Sequence, residues 1–99
     1  MRRGTTPTHV FKVPVDLTNA EVVYMTYKQD DRKIVEKTKD DMDITEDQIT
    51  LTLTQADTLA FADNKEVKIQ CRARYPDGKA IGSKVKKVPA CEILKEGII

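Results

Sequence analysis

The chain lacks tryptophan, and aromatic residues make up only 5% of its 99 positions. It has a single histidine, His9, a single serine, Ser83, and two cysteines, Cys71 and Cys91. Catalysis of the Ser–His or Cys–His type needs one of these nucleophiles beside the histidine, together with a third group that orients the ring. Because the chain has so few of the required residues, we expect no catalytic site, no small-molecule substrate and no enzymatic activity.

Patterns that bind metals or phosphates are also sparse. Two cysteines without closely spaced partner ligands do not make a zinc site. Asp41, Asp43 and Asp47 are spaced faintly like the start of a calcium loop, but Glu46 replaces the required glycine and Thr52 replaces the closing acid. A solvated acidic turn is the favoured interpretation. The four glycines do not cluster, so we expect neither a metal ion nor a cofactor.

Long apolar runs are missing as well. No stretch approaches the roughly 18 apolar residues that a membrane-spanning helix needs. The first residues are basic, but the polar residues behind them do not form the apolar core of a signal peptide. We therefore expect synthesis in the cytoplasm, no secretion through a signal peptide and no membrane partner. In that compartment a Cys71–Cys91 disulfide is disfavoured, although it stays an open alternative if their strands are neighbours.

Alternation of apolar and polar residues dominates the rest of the chain. In residues 49–54, three aliphatic residues alternate with three threonines, as in a strand with one buried face. In residues 66–75, the odd positions from Val67 to Tyr75 are predicted inward and the even positions from Lys68 to Arg74 outward. Such runs, separated by turns, predict a β-sandwich. Further strands are predicted at residues 10–15, 21–29, 33–39, 80–88 and 91–98.

One interval departs from this period. Thr54 and Asp57 have the spacing of a helix capping box, and Leu59 and Phe61 follow. We predict one short helical turn near residues 55–61, in which Leu59 or Phe61 closes one end of the core.

The chain shows no internal repeat and no linker. Its length suits one modest core and is too short for two. We therefore expect a single β-sandwich domain over residues 1–99, with residues 1–7 and 97–99 as loose tails.

Charge is unevenly distributed, although the formal net charge is only +1. Residues 66–88 hold seven basic and two acidic side chains, whereas residues 28–47 hold five basic and eight acidic ones. The basic run predicts a candidate interaction face made of Lys68, Arg72, Arg74, Lys84 and Lys86. We expect no aromatic residue among them to stack on bases, so nucleic acid is the least favoured partner. A solvated face that protects a strand edge is favoured over a docking surface for an acidic protein.

Several stretches resemble a known protein family. They are "RRGTTPTHVFKVPVD" at the start, "LTLTQADTLAF" in the middle, and "YPDGKAIGS" and "EILKEGII" towards the end. Together they resemble small proteins encoded in phages and prophages of Gram-positive bacteria, in particular the amino-terminal domain of phage baseplate upper proteins. The resemblance extends from about Arg2 to Gly97.

The resemblance implies an immunoglobulin-like sandwich of about seven short antiparallel strands. It also implies a non-enzymatic structural or assembly role of the baseplate or tail type. The expected partners are further copies of the chain or other virion proteins. The expected location is the host cytoplasm on synthesis, followed by incorporation in the virion.

A second functional hypothesis is a small binding module for a cell-surface or carbohydrate ligand. Sugar sites usually present exposed aromatic rings, and the chain has three tyrosines. Tyr24 and Tyr27 differ in parity along one predicted strand, so we expect one of them to face outward.

Overall fold

The computed structural model describes every residue from Met1 to Ile99. The chain forms eight strands and two short helical segments. In chain order these are β1 (Thr8–Lys12), β2 (Val22–Gln29), β3 (Arg32–Thr38), a 3-10 turn (Lys39–Asp41), β4 (Met42–Ile44), β5 (Gln48–Thr52), α1 (Gln55–Leu59), β6 (Glu66–Arg74), β7 (Ala80–Gly82) and β8 (Lys86–Pro89).

The strands form two antiparallel sheets, which confirms the predicted all-β sandwich. The smaller sheet has the order β1-β5-β4, and the larger has the order β3-β2-β6-β7, with β8 also paired to β6. The larger sheet has the C′-C-F-G order of an immunoglobulin-like domain. The smaller sheet corresponds to strands B, E and D of such a domain, without an A strand. In this correspondence β1 takes the place of strand B, which pairs with strand E as β1 pairs with β5.

The core lies between the sheets and follows the predicted alternation. Along β6, Val67, Ile69, Cys71 and Ala73 are buried, while the residues between them are exposed or half-buried. Tyr27 is the largest fully buried side chain. Burying one Val, Leu or Ile side chain contributes about 1.5–3 kcal/mol. The buried residues of the two sheets therefore supply most of the favourable free energy of folding.

The short helix α1 begins at the predicted capping box. The Thr54 hydroxyl oxygen accepts a hydrogen bond from the Asp57 N–H at 3.1 Å, and the Asp57 carboxylate accepts one from the Thr54 N–H at 2.9 Å. Of the two residues expected to close the core, Phe61 is buried and Leu59 is only half-buried.

The predicted strand over residues 80–88 is divided into β7 and β8 by a bulge. The register against β6 shifts by one residue between the two, because Arg72 pairs with Gly82 whereas Ile69 pairs with Lys86. Ser83 holds the bulge in place: its hydroxyl accepts from the Cys71 N–H at 3.0 Å, and its own N–H donates to the Cys71 carbonyl at 2.9 Å.

The strand predicted at residues 91–98 is wrong. Only Cys91 is bridged, and its partner is Arg2 in a parallel arrangement. The Cys91 N–H donates to the Met1 carbonyl at 2.7 Å, and the Arg3 N–H donates to the Cys91 carbonyl at 3.1 Å. The amino-terminal residues therefore occupy the edge beyond β8. The strand β4 is not among the predicted strands; it is short and lies in the acidic stretch.

Residues 1–7, which we expected to be a loose tail, are hydrogen-bonded to the body of the domain. The Arg3 guanidinium donates to the carbonyls of Phe61 at 2.6 Å and Leu59 at 3.0 Å. It also donates to the carboxylates of Asp63 at 2.7 Å and Glu96 at 2.8 Å. At the other end, Ile99 makes two hydrogen bonds with the Gln55 side chain.

The two cysteines are both free thiols, so the open alternative of a Cys71–Cys91 disulfide is not realised. Cys71 is buried in the middle of β6, whereas Cys91 follows the end of β8. Residues 65 and 71 are six positions apart on one extended segment, which separates them by about 20 Å. Cys91 lies near residue 65, since the neighbouring Ala90 N–H donates to the Lys65 carbonyl.

Candidate functional site: a cationic sheet face

The five basic residues of the predicted interaction face do not share one surface. Lys68, Arg72 and Arg74 extend from the exposed side of β6, on the outer face of the larger sheet. Lys84 and Lys86 instead line a groove beside β1. The prediction of a single face is therefore wrong.

The bulge at Ser83 explains the division. In β7, the even-numbered Gly82 pairs with the outward-facing Arg72, so even positions face outward. In β8, Lys86 pairs with the buried Ile69, so even positions now face the space between the sheets. One extra residue thus inverts the alternation. The Lys86 ammonium accordingly lies 5.9 Å from the centre of the Phe11 ring.

The same inversion completes a row of lysines on the outer face. Lys33 of β3 is directly opposite Lys28 of β2. On its other side Lys28 is opposite Lys68 of β6, and Lys68 in turn is opposite Lys87 of β8. We call this set of four residues the lysine row. Neighbouring strands are about 4.8 Å apart, so the row spans about 14 Å. Of these four residues, only Lys68 belongs to the interaction face predicted from the sequence.

A second bulge brings Lys33 into the row. Tyr27 pairs with Val35 but the next residue, Lys28, pairs with Lys33, so Ile34 is left without a partner. The hairpin itself is closed by Asp30 and Asp31, whose φ angles of 49° and 63° match the two positive values of a type I′ turn.

Few acidic groups neutralise the lysine row. The ammonium of Lys33 lies 3.6 Å from the Glu36 carboxylate, and this is the only ion pair that any of the four makes. Like charges directly opposite on neighbouring strands destabilise a sheet by roughly 0.2–1 kcal/mol per pair. The row contains three such pairs in succession, so it lowers the stability of the isolated domain.

The row borders a shallow polar depression with a volume of ≈ 450 Å³. Lys28, Lys33, Lys68 and Arg72 contribute its positive charges, and Asp31 is its one acidic residue. The depression can accept a negatively charged group that contacts several ammonium groups at once.

An aromatic residue lies beside the basic ones, contrary to our expectation. Tyr24 is opposite Arg72 on the outer face, and 42% of it is exposed. It borders a small depression of ≈ 200 Å³ that also involves Arg74. Tyr27 is fully buried, which confirms that one tyrosine of the pair faces outward. Alternation within one strand does not predict this pairing, because Tyr24 and Arg72 lie on different strands.

The single histidine is half-buried and packs against the core residue Tyr27. The Nδ1 atom of His9 lies 2.8 Å from the Tyr27 hydroxyl, and the two rings are stacked with their centres 5.8 Å apart. Burial lowers the pKa of His9, and the positive charges of the Met1 amine and Lys86 lower it further. Burial raises the pKa of the Tyr27 hydroxyl.

Two of the three acidic residues that faintly resemble a calcium loop, Asp41 and Asp47, have separate structural roles. The Asp41 carboxylate accepts hydrogen bonds from the Thr38 N–H at 3.0 Å and the Thr38 hydroxyl at 3.2 Å, and these bonds lower the pKa of Asp41. Asp47 accepts from the Thr45 hydroxyl at 3.2 Å. No three His, Cys, Asp or Glu side chains come together as a metal-binding group.

None of the helices has the length and apolar character that crossing a membrane requires. Comparisons of the chain with protein-family models, with curated proteins and with solved structures find no match. Because no relative indicates functional residues, the candidate site is defined by the geometry of the larger sheet alone.

Proposed function

We propose that this chain is a non-enzymatic assembly module that docks an acidic protein surface on the outer face of its larger sheet. The observation that carries the proposal is the lysine row, in which each lysine directly faces another across the strands. An acidic partner supplies the counter-charges that the isolated domain lacks. Such complementarity speeds association and selects the partner.

The rest of the outer face supports a protein partner. Tyrosine and arginine are enriched at the energetic centres of protein interfaces, and here Tyr24 lies opposite Arg72. Val85, 47% exposed, adds apolar surface next to the lysine row. A nucleic-acid groove uses several stacking rings along a strand of cations. This face offers one ring, Tyr24, so an acidic protein fits better.

The biological setting of the proposal is a phage or prophage particle of the baseplate or tail type. It is supported by the resemblance of residues 2–16, 51–61, 75–83 and 92–99 to baseplate upper proteins. In that setting the partner is another virion protein or a further copy of the chain. The protein is made in the host cytoplasm and enters the particle by this contact.

The direct test compares two double charge reversals with equal net charge. Lys28→Glu with Lys68→Glu disrupts the lysine row, whereas Lys79→Glu with Lys95→Glu changes exposed lysines elsewhere. The probe is a glutamate-rich peptide, titrated at low and high salt. We expect the first variant to weaken binding by roughly tenfold or more and the control to bind almost as the unmodified protein does.

Three outcomes would contradict the proposal. The first is no binding of the peptide at low salt, and the second is an equal loss of binding in both variants. The third is tighter binding of a single-stranded oligonucleotide of the same charge than of the peptide. The last result would assign the face to nucleic acid.

A binding module for a carbohydrate or cell-surface ligand is the second candidate, favoured by the exposed ring of Tyr24 beside its small depression. A sugar stacked on this ring would be held by van der Waals contact and by hydrogen bonds from Arg72 and Arg74. A glycan array probed with the unmodified protein and with Tyr24→Ala tests this candidate. Binding that depends on Tyr24 supports it, and an empty array removes it.

A further inference from the structure

A groove opens between β1 of the smaller sheet and the bulge that joins β7 to β8 in the larger one. Its cavity volume is ≈ 630 Å³. Phe11 and Val13 line it with apolar surface, and Lys12, Lys84 and Lys86 contribute positive charge. An extended segment that alternates apolar and acidic side chains is complementary to such a groove.

The edge of β1 that is not paired with β5 has unused hydrogen-bonding groups. The Pro7 carbonyl accepts from Leu53 at 3.0 Å and the Val13 N–H donates to Asp47 at 2.9 Å, so the odd positions of β1 bond to β5. In an antiparallel pair the intervening residues direct their N–H and C=O groups away from the partner. Thr8, Val10 and Lys12 therefore present a free edge, which is the usual site for the addition of another strand.

Residues 92–99 of the same chain have the composition that the groove requires. In an extended conformation Glu92, Leu94, Glu96 and Ile98 lie on one side, so two acidic and two apolar side chains alternate. Leu94 is 100% exposed and Ile98 is 69% exposed. The alternation favours a strand, yet this segment has no strand partner in its own domain because residues 1–3 occupy the adjoining edge.

We propose that residues 92–99 of a second copy add as a strand to the free edge of β1. Leu94 and Ile98 then cover the apolar lining of the groove, while Glu92 and Glu96 meet Lys84 and Lys86. The contact joins copies of this chain through strand addition. It does not rest on the proposed function, because the lysine row lies on the outer face of the larger sheet and is not involved.

Several contacts must be released for the segment to leave its own domain. The Glu92 carbonyl gives up a 2.7 Å hydrogen bond from the Arg2 guanidinium, and the half-buried Ile93 side chain leaves its packing against Gly4. Glu96 is paired with Arg3 at 2.8 Å, but the Glu96 side chain is 59% exposed. Arg3 keeps its bonds to Asp63 and to two carbonyls when Glu96 departs. Ile99 loses two exposed hydrogen bonds to the Gln55 side chain and gains backbone hydrogen bonds to β1 of the other copy. Exposed pairs of this kind contribute little to stability.

The test is the mass of the full chain in solution, measured by sedimentation over a range of concentrations. The donor variant is Leu94→Asp with Ile98→Asp, and the acceptor variant is Lys84→Glu with Lys86→Glu. The control is Val15→Asp with Ile81→Asp, which changes two exposed apolar residues that belong neither to the lining of the groove nor to the lysine row. Circular dichroism verifies that each variant is folded.

We expect the unmodified protein and the control to associate. The donor variant and the acceptor variant should each be monomeric when measured alone. A mixture of donor and acceptor variants should restore a one-to-one complex, because the donor variant keeps an intact groove and the acceptor variant keeps an intact segment. A strictly monomeric unmodified protein would overturn the proposal. So would association that persists in both variants, loss of association in the control, or a mixture that stays monomeric.

Discussion

The His9 Nδ1 atom and the Tyr27 hydroxyl form a 2.8 Å hydrogen bond that links β1 to the centre of the larger sheet. The stacked rings of the two residues connect β1 with the larger sheet, and the centre of the Phe61 ring lies 6.1 Å from that of the Tyr27 ring. The only imidazole of the chain is therefore a structural element of the sandwich.

This contact predicts how stability depends on pH. The pKa of His9 is lowered from 6.5 by burial and by the charges of the Met1 amine and Lys86. Below pH 6.5 the unfolded chain binds a proton more readily than the folded one, so the free energy of unfolding decreases as pH falls through this value. The carboxyls with shifted pKa values, Asp16 among them, have pKa values lowered from 3.8. Their titration therefore lies below the pH range in which His9 affects stability.

Urea unfolding between about pH 5 and 7 measures the effect. We expect a decrease towards the acidic end for the unmodified protein and a nearly flat profile for His9→Gln, since glutamine keeps a hydrogen bond to Tyr27 without titrating. An identical slope in both proteins would contradict the assignment to His9.

Arg3 is predicted to be the main anchor of the amino-terminal segment. Its side chain is 11% exposed and donates to two carbonyls and two carboxylates. Arg3→Ala leaves the carbonyls of Leu59 and Phe61 without this donor, and should lower the free energy of unfolding by roughly 1–3 kcal/mol. Arg2→Ala, which removes one exposed hydrogen bond to Glu92, is the matched control and should have a small effect. Equal effects of the two substitutions in denaturant melts would refute the anchoring role.

The lysine row predicts that removing a lysine stabilises the isolated domain. Lys28 faces two lysines and Lys87 faces one, whereas Lys12 faces Gln48. Substitution by threonine should raise the free energy of unfolding by roughly 0.5–1 kcal/mol at Lys28, by less at Lys87, and by least at Lys12. Because salt screens repulsion between exposed charges, the differences should shrink at high ionic strength. Thermal melts in low and high salt measure the series, and a stability loss at Lys28 would contradict the repulsion.

The alternation of residues was sufficient to predict the sandwich, and the Thr54–Asp57 pair was sufficient to predict the helical turn. Both are local patterns that short segments impose by themselves. The candidate site depends on strand register, which alternation within one strand leaves undetermined. Ile34 and Ser83 mark two bulges that each displace the pairing by one residue.

For this reason sequence analysis selected Lys86, which faces inward, and missed Lys87, which completes the lysine row. The strand predicted at residues 91–98 failed for a different reason. Its alternation is suited to a strand, but a strand also needs a free edge. Residues 1–3 occupy that edge through their bonds with Cys91, and no local pattern predicts which segment will reach it first.

The central claim is that the lysine row forms one contiguous docking surface for acidic protein. Nuclear magnetic resonance of the isotopically labelled protein, titrated with the glutamate-rich peptide, tests it residue by residue. We predict that the largest chemical-shift changes lie at Lys28, Lys33, Lys68 and Lys87, with Tyr24 and Arg72 next to them. Changes centred on Lys84 and Lys86, or scattered evenly over exposed lysines such as Lys79 and Lys95, would contradict the claim.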